Sequence, residues 1–334
     1  MIKNSEIPMI DQVCFSRQEP FLECVDFNHS LFRYHRYRNH RLFDKDSVRE
    51  LAERELRYLL YDEGTFGRIF ILNNTVSGVC LCQPLSWDSL HFGIEMASLN
   101  LFLSDSVSQS EGGALVAAVM NDARKLGFKH LCANVDADDY VSFNSLIVSG
   151  FQLMDAKRTF VSRPRDTVEI DFPKLFEPRE YRNADRNEII SLIERTGFES
   201  RFSRDPAISD EKSRLLYVKW AEQLFDAPEN KRLIYVVERK ERKILAASGG
   251  FEVEIKAGDQ EKKILTDGIF ACKPRASGSY LSMMRRFILE GRRRGYALVE
   301  TKVSLNNRAV NKALAYIGGD AVSCHYALHA SLRK

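Results

Sequence analysis

A run of strand, helix, strand, helix and strand occurs twice in this chain of 334 residues, once in each half, and no other feature narrows the fold as far. In the second half, residues 264–273 (ILTDGIFACK) read as a strand and the loop PRASG follows. A helix then runs from Ser279 to about Arg294, with Tyr280, Leu281, Met284, Phe287 and Ile288 at helical spacing, and Gly295 stops it. Residues 296–304 read as a strand, 306–318 as a helix and 323–329 as a last strand. The first half runs in parallel, with a strand at 97–104, a helix at 114–127, a strand at 130–136, a helix at 139–150 and a strand at 151–161. The interval from Gly127 to Gly150 equals that from Gly295 to Gly318, 23 residues in each, and Asp139 stands before Gly150 as Asn307 stands before Gly318. Matching intervals of this kind indicate two copies of one fold.

The junction lies near 162–178, where SRPRDTVEIDFPKLFEP carries three prolines, which divides the chain into domains 1–165 and 166–334. Each half opens with an amphipathic helix, 45–61 or 183–196, and an antiparallel pair of strands, 67–85 or 232–255. The expected class is α/β, with two tandem domains, each a mixed, mostly antiparallel central sheet flanked by helices.

Composition sets bounds. Hydrophobic residues at 44% and charged residues at 28% suffice for a core in each of two domains. A net charge of +3 gives no global attraction to nucleic acid or a membrane surface, and no stretch approaches the ~18–20 apolar residues that span a bilayer. The opening residues, MIKNSEIPMIDQ, lack the apolar run of a signal peptide, so a cytoplasmic location is expected. Seven cysteines, an odd number without framework or zinc-finger spacing, favour reduced thiols and no metal. Residues 32–43 (FRYHRYRNHRLF) interleave four arginines with aromatics, a composition that can meet phosphate; the commoner reading is a solvated segment whose aromatics face the core.

The loop Arg275-Ala276-Ser277-Gly278-Ser279-Tyr280 joins a strand to a helix start. Backbone N–H groups there lack intrahelical partners and carry the positive end of the helix dipole, so the turn can seat a pyrophosphate. Gly278 lets the backbone approach a ligand and Arg275 can add a charge-assisted contact. R-x-x-G is also common in ordinary capping turns. Neither Walker A spacing nor G-x-G-x-x-G is present.

On these residues the chain resembles the GNAT superfamily of N-acetyltransferases. That family carries Gln/Arg-x-x-Gly-x-Gly/Ala after its fourth strand, matched by Arg275-x-x-Gly278-x-Tyr280, and an Asn opening the helix after its fifth, matched by Asn307. The stretches 86–93, 136–151 and 200–220 and the ending 325–329 are more narrowly similar to double-GNAT proteins related to dTDP-fucosamine acetyltransferase, which act on nucleotide-linked amino sugars. The resemblance spans roughly residues 65–330. It departs at Tyr280, where a small residue is usual, at Leu314, where many members carry the tyrosine that protonates the departing thiolate, and at Gly319, where Phe is usual.

The resemblance implies acetyl-CoA as cofactor and acyl transfer to an amine. Phe270, Ala271 and Cys272 would lie beside the thioester, Arg275, Ala276, Ser277, Gly278, Ser279 and Tyr280 around the pyrophosphate, and Asn307 and Asn311 along the pantetheine arm. With Leu314 in the tyrosine position, Tyr316, Tyr326 and His325 become the candidate acids; Tyr316 lies about 200° around the helix from that position. Arg201, Arg204 and Asp267 would meet the acceptor. The implied partner is a small amine, a sugar nucleotide in the narrower resemblance, with a homodimer as candidate assembly and no nucleic acid or membrane. A protein or polyamine acceptor and a non-catalytic acyl-CoA-binding module are the alternatives. In the first half, Gln109-Ser110-Glu111-Gly112-Gly113-Ala114 matches the loop by letter, but Glu111 puts an anion where phosphate would sit and Asp139 replaces the Asn, so this half reads as a degenerate, supporting copy.

Overall fold

The computed structural model describes residues 26–166, 176–238, 243–276 and 278–333, with the side chain of Asp267 outside the described residues. The elements in chain order are α1 (Lys45–Tyr61), β1 (Phe66–Leu72), β2 (Thr75–Pro84), α2 (Ser86–Phe92), β3 (Met96–Leu103), α3 (Gln109–Lys125), β4 (His130–Asp136), α4 (Tyr140–Val148) and β5 (Gln152–Ser162). They continue with β6 (Arg179–Glu180), α5 (Arg186–Arg195), α6 (Asp210–Asp226), β7 (Arg232–Glu238), β8 (Ile244–Ala257), β9 (Gln260–Cys272), α7 (Ser279–Arg294), β10 (Leu298–Ser304), α8 (Arg308–Tyr316) and β11 (Asp320–Ser331). No helix of the described residues is long and apolar enough to cross a membrane.

The repeat has a physical basis at both ends of its helices. Gly127, Gly150, Gly295 and Gly318 all hold positive φ, between 74° and 96°, just past the ends of α3, α4, α7 and α8. A residue with a Cβ is strained there, so the helix stops recur at the same spacing. Asp139 and Asn307 are the N-caps of α4 and α8: Asp139 Oδ1 accepts the Ser142 N–H at 3.0 Å, and Asn307 Oδ1 accepts that of Val310 at 3.2 Å.

Two compact units form among the described residues, one from 26–38, 44–156 and 324–333, the other from 39–43 and the described part of 157–323. This division differs from a cut at 165. In the first unit β1, β2 and β3 are antiparallel neighbours, β3 and β4 run parallel, and β4 pairs antiparallel with the end of the chain, from His325↔Asp136 to Ser331↔His130. Leu115, Val116 and Val119 of α3 and Leu146 of α4 pack on Leu99, Leu131, Ala133 and Leu328, while Leu56 and Leu60 of α1 cover Ile69, Val79 and Leu81. In the second unit β6 to β9 are antiparallel neighbours, β9 and β10 run parallel, and β10 pairs antiparallel with Lys157 to Ser162 of β5. Met284, Phe287 and Ile288 of α7 and Leu314 of α8 pack on Leu265, Val299, Val303 and Phe160. Ile189, Leu192 and Ile193 of α5 and Val218 and Leu224 of α6 pack on Ile234, Val236 and Ala271. Fully buried side chains such as Phe287 and Leu146 each contribute about 1.5–3 kcal/mol of burial.

Three elements depart from the sequence reading. Helix α3 starts at Gln109 rather than 114, because Ser108 and Glu111 form a reciprocal capping box ahead of the glycines. Strand β9 starts at Gln260, since the polar run 256–263 continues the β8–β9 ladder to Ala257↔Gln260. Helix α6 emerges where only a resemblance was noted, from Leu216, Ala221, Leu224 and Phe225 on its buried face.

Candidate functional site

In the second unit the parallel ladder between β9 and β10 covers only Leu298↔Ile264, Val299↔Leu265 and Glu300↔Thr266. Both strands run on, to Cys272 and Ser304, so they diverge beyond Thr266 and Glu300. The divergence begins at a bulge. Gly250 pairs with Asp267 and Gly249 with Ile269, which leaves Gly268 as the extra residue on β9. A bulge bends its strand and raises the local twist, here at the point where the ladder to β10 ends. Backbone N–H groups of β9 on the side away from β8 thereby face the gap.

Beyond the gap, β9 leads through a 3-10 turn at Pro274–Ala276 into α7. Gly278 is the N-cap of α7 and supplies no side-chain cap. Ser279, fully buried, donates its hydroxyl to the Ala276 carbonyl at 2.6 Å and so braces the turn. Ala276 is buried against Met283, and Arg275 is exposed. Ser277 lies outside the described residues. The Tyr280 ring is 4% exposed and meets the Phe270 ring edge-on, with centroids 4.8 Å apart. Its bulk therefore goes into the core of the unit.

On the opposite strand, Asn311 donates through Nδ2 to the carbonyls of Ser304 and Asn307, both at 2.9 Å, which ties α8 to the end of β10. Leu314 is 1% exposed and packs in the core, whereas Tyr316 is 59% exposed on the other face of α8. Tyr326 and His325 belong to the first unit: Tyr326 packs on the Phe143 ring at 4.9 Å, and His325 Nε2 stands 3.7 Å from Asp136 Oδ2. The pattern of strands could not reveal this, because it says nothing of which strand is the neighbour of which.

A cleft of about 830 Å³ lies between α5 and the end of β9, lined by Glu188, Ser191, Arg195, Thr196, Cys272, Lys273 and Pro274 among others. Glu188 Oε1 accepts the Ile244 N–H at 2.8 Å and lies 4.0 Å from Lys273 Nζ. Burial raises the Cys272 thiol above its ordinary value, so it is a neutral wall of the cleft. Sequence reading named Cys272 but missed the α5 residues of the cleft, since 183–196 offered only an amphipathic pattern. Arg201 lies over the Phe202 ring at 4.6 Å and Arg204 pairs with Glu199 at 3.0 Å, both in the turn after α5.

The first unit repeats the divergence but not the helix start. Its β3–β4 ladder covers Met96↔His130 to Leu99↔Ala133, while the strands reach Leu103 and Asp136. At α3, however, the Glu111 carboxylate accepts the Ser108 N–H at 2.8 Å and the Ser108 hydroxyl accepts the Glu111 N–H at 3.3 Å. The helix start is thus occupied by the chain's own anion. Helices α3 and α4 also close on each other: Ser145 Oγ donates to the Gln109 carbonyl at 3.2 Å, and a Cβ at Gly112 would stand 2.4 Å from Ser145 Oγ. Burial pushes the Asp139 carboxyl above its usual range, in spite of its hydrogen bond from the Ser142 N–H.

Several basic residues of 32–43 pair within the chain. Arg38 makes a two-pronged contact with Asp136, at 2.5 and 2.8 Å, and Arg36 and His35 bond Glu55. Within the second unit, His40 bonds the buried Glu300 at 2.9 Å. Arg293 and Arg294 after the helix core both pair with Glu290, whose carboxyl is pulled down to about 2 by Arg293 first, against the opposing effect of burial.

No family model matches the sequence, and no curated protein matches it either. Solved structures do resemble the fold. A GCN5-related N-acetyltransferase from Sphaerobacter thermophilus is 13% identical, with a TM-score of 0.57 over 85% of this chain and 86% of its own. A functionally unknown conserved protein from Staphylococcus epidermidis is 9% identical, with a TM-score of 0.51 over 79% of this chain and 94% of its own. A tandem GNAT protein from the clavulanic acid biosynthesis pathway is 13% identical at a TM-score of 0.47, over 81% of this chain and 84% of its own. At 13% identity the Sphaerobacter structure shows the fold alone: the chain folds like a GCN5-related N-acetyltransferase, and its own strand–helix unit occurs twice.

Proposed function

We propose that the protein is an acyl-CoA-dependent N-acyltransferase that binds its cofactor in the second unit and acetylates a small amine. The observation that carries the reading is the contrast between two equivalent helix starts. That of α3 is filled by Glu111, and that of α7 is left without a side-chain cap behind a diverging strand pair. A pyrophosphate at α7 would take up helix-start N–H groups of the kind that the Ser108 and Glu111 side chains take up at α3. Phe270, Ala271 and Cys272 would flank the thioester arm, Arg275, Ala276, Ser277, Gly278, Ser279 and Tyr280 would form the turn, and Asn307 and Asn311 would hold the other wall.

The amine nitrogen attacks the thioester carbonyl carbon, the C–S bond breaks, and the proton given up by the amine leaves on the coenzyme A sulfur. A β9 N–H facing the gap polarises the carbonyl. Leu314 has no proton to give, and Tyr316, on the exposed face of α8, would act only through intervening water.

The cleft bears on the acceptor. Arg195 and Lys273 line the cleft with Glu188, one oxygen of which already accepts a backbone N–H, so cationic groups prevail. That balance favours an amine carrying an anionic group over a polyamine, in keeping with a nucleotide-linked amino sugar, and Arg201, Arg204 and Asp267 would extend the acceptor site. Leu314 favours a second reading, a module that binds acyl-CoA without turnover.

Calorimetric titration with acetyl-CoA tests the cofactor site. One equivalent should bind to the wild type and to Glu111→Gln, with binding at least about tenfold weaker in Gly278→Asp, whose carboxylate would repel phosphate. Unchanged binding in Gly278→Asp sinks the assignment to the second unit. Thiol release with sugar nucleotides and with polyamines then separates the acceptors, and binding without release from any amine supports the module.

A further inference from the structure

We infer that the first unit holds a zinc ion on His130, Cys132 and His329. These three residues are each 1% exposed, and their ligand atoms all lie within 4.8 Å of one another. The trio follows from strand geometry. His130 and Cys132 stand two apart on β4 and share a face, and His329 on β11 is the register partner of Cys132. The other face of the same strands is apolar, with Leu131, Ala133, Leu328 and Ala330 in the core.

The distances suit a tetrahedral ion. Cys132 Sγ lies 3.8 Å from His130 Nδ1, and the His130 and His329 rings meet edge-on with centroids 5.0 Å apart. Zinc bonds near 2.3 Å to sulfur and 2.05 Å to nitrogen place tetrahedral S and N ligands ~3.6 Å apart, so His329 needs to close by only about an ångström. Two imidazoles and a thiolate select a borderline-soft ion over magnesium or calcium, and with a water they complete four-coordination. The ion would fasten β11, the last strand of the chain, to β4. Binding releases the Cys132 thiol proton and leaves both histidines neutral.

The test uses the full chain, stripped with chelator and titrated with Zn²⁺ and then with Co²⁺ as a spectroscopic substitute. One equivalent of zinc per chain is expected, with a thiolate-to-cobalt charge-transfer band and tetrahedral d–d bands. Cys132→Ala should abolish the charge-transfer band, and His329→Gln should weaken binding by more than the ~10–100-fold that loss of an outer partner costs. The exposed His29→Gln should change neither. X-ray absorption of the zinc-loaded wild type decides the matter even where the variants fail to fold. One sulfur and two imidazole ligands support the site. A shell of nitrogen and oxygen alone, binding well below one equivalent, or a charge-transfer band that survives Cys132→Ala in a folded variant overturns it.

Discussion

Glu300 shows how single residues set the constraints around the gap. It is the last β10 residue in the ladder to β9, 3% exposed, with His40 at 2.9 Å and Lys302 at 3.2 Å. Burial works to raise its carboxyl value, and the His40 hydrogen bond and Lys302 outweigh it, so the folded value lies below the ordinary one. Its contribution is therefore present above the unfolded value and is lost as pH falls toward the folded one. Urea unfolding of the wild type from about pH 6 to about pH 4 should show a fall in stability that Glu300→Gln makes shallower. His40→Ala, which leaves a buried carboxylate with only Lys302, should cost about 3 kcal/mol at neutral pH, near the low end for a broken buried pair. A loss within a few tenths of a kcal/mol would mean that the pair is replaceable by water.

At the scale of elements, α3 and α7 are copies that have taken opposite courses. Helix α3 caps itself and leans on α4 through Gly112, Ser145 and Ser149, whereas α7 begins at a bare glycine. Glu111→Ala should lower stability by ~0.5–2 kcal/mol through loss of the capping box, and leave acetyl-CoA binding unchanged. Gly112→Ala should cost ~1–3 kcal/mol, because the new methyl meets Ser145 and Leu103 in a closed contact. Thermal or urea unfolding measures both. A Glu111→Ala protein that loses acetyl-CoA binding would shift the cofactor to the first unit.

For the whole molecule, the units take their last strands from distant parts of the chain. Residues 1–156 alone lack the strand that pairs antiparallel with β4, and should give a poorly structured fragment by circular dichroism. A peptide of residues 320–334 supplied in trans should restore strand signal, because it brings the β4 partner and the apolar Leu328, Ala330 and Leu332. Independent folding of residues 1–156 would show that the pairing is dispensable.

The sequence alone determined the repeat, the α/β class and most of the elements, because helix stops need left-handed glycines, caps need Asp or Asn, and buried faces need apolar residues at a fixed period. It also located the loop at Gly278. Only the tertiary structure decided which strands are neighbours: a strand needs a partner for its N–H and C=O groups, and local pattern does not say where in the chain that partner lies. That is why Tyr326 and His325 stand with the first unit and why His130, Cys132 and His329 meet at all, since metal-ligand spacing can be read only along one segment. The turn of Tyr280 into the core, the bulge at Gly268 and the filling of the α3 start by Glu111 likewise depend on packing and hydrogen bonds beyond the reach of spacing.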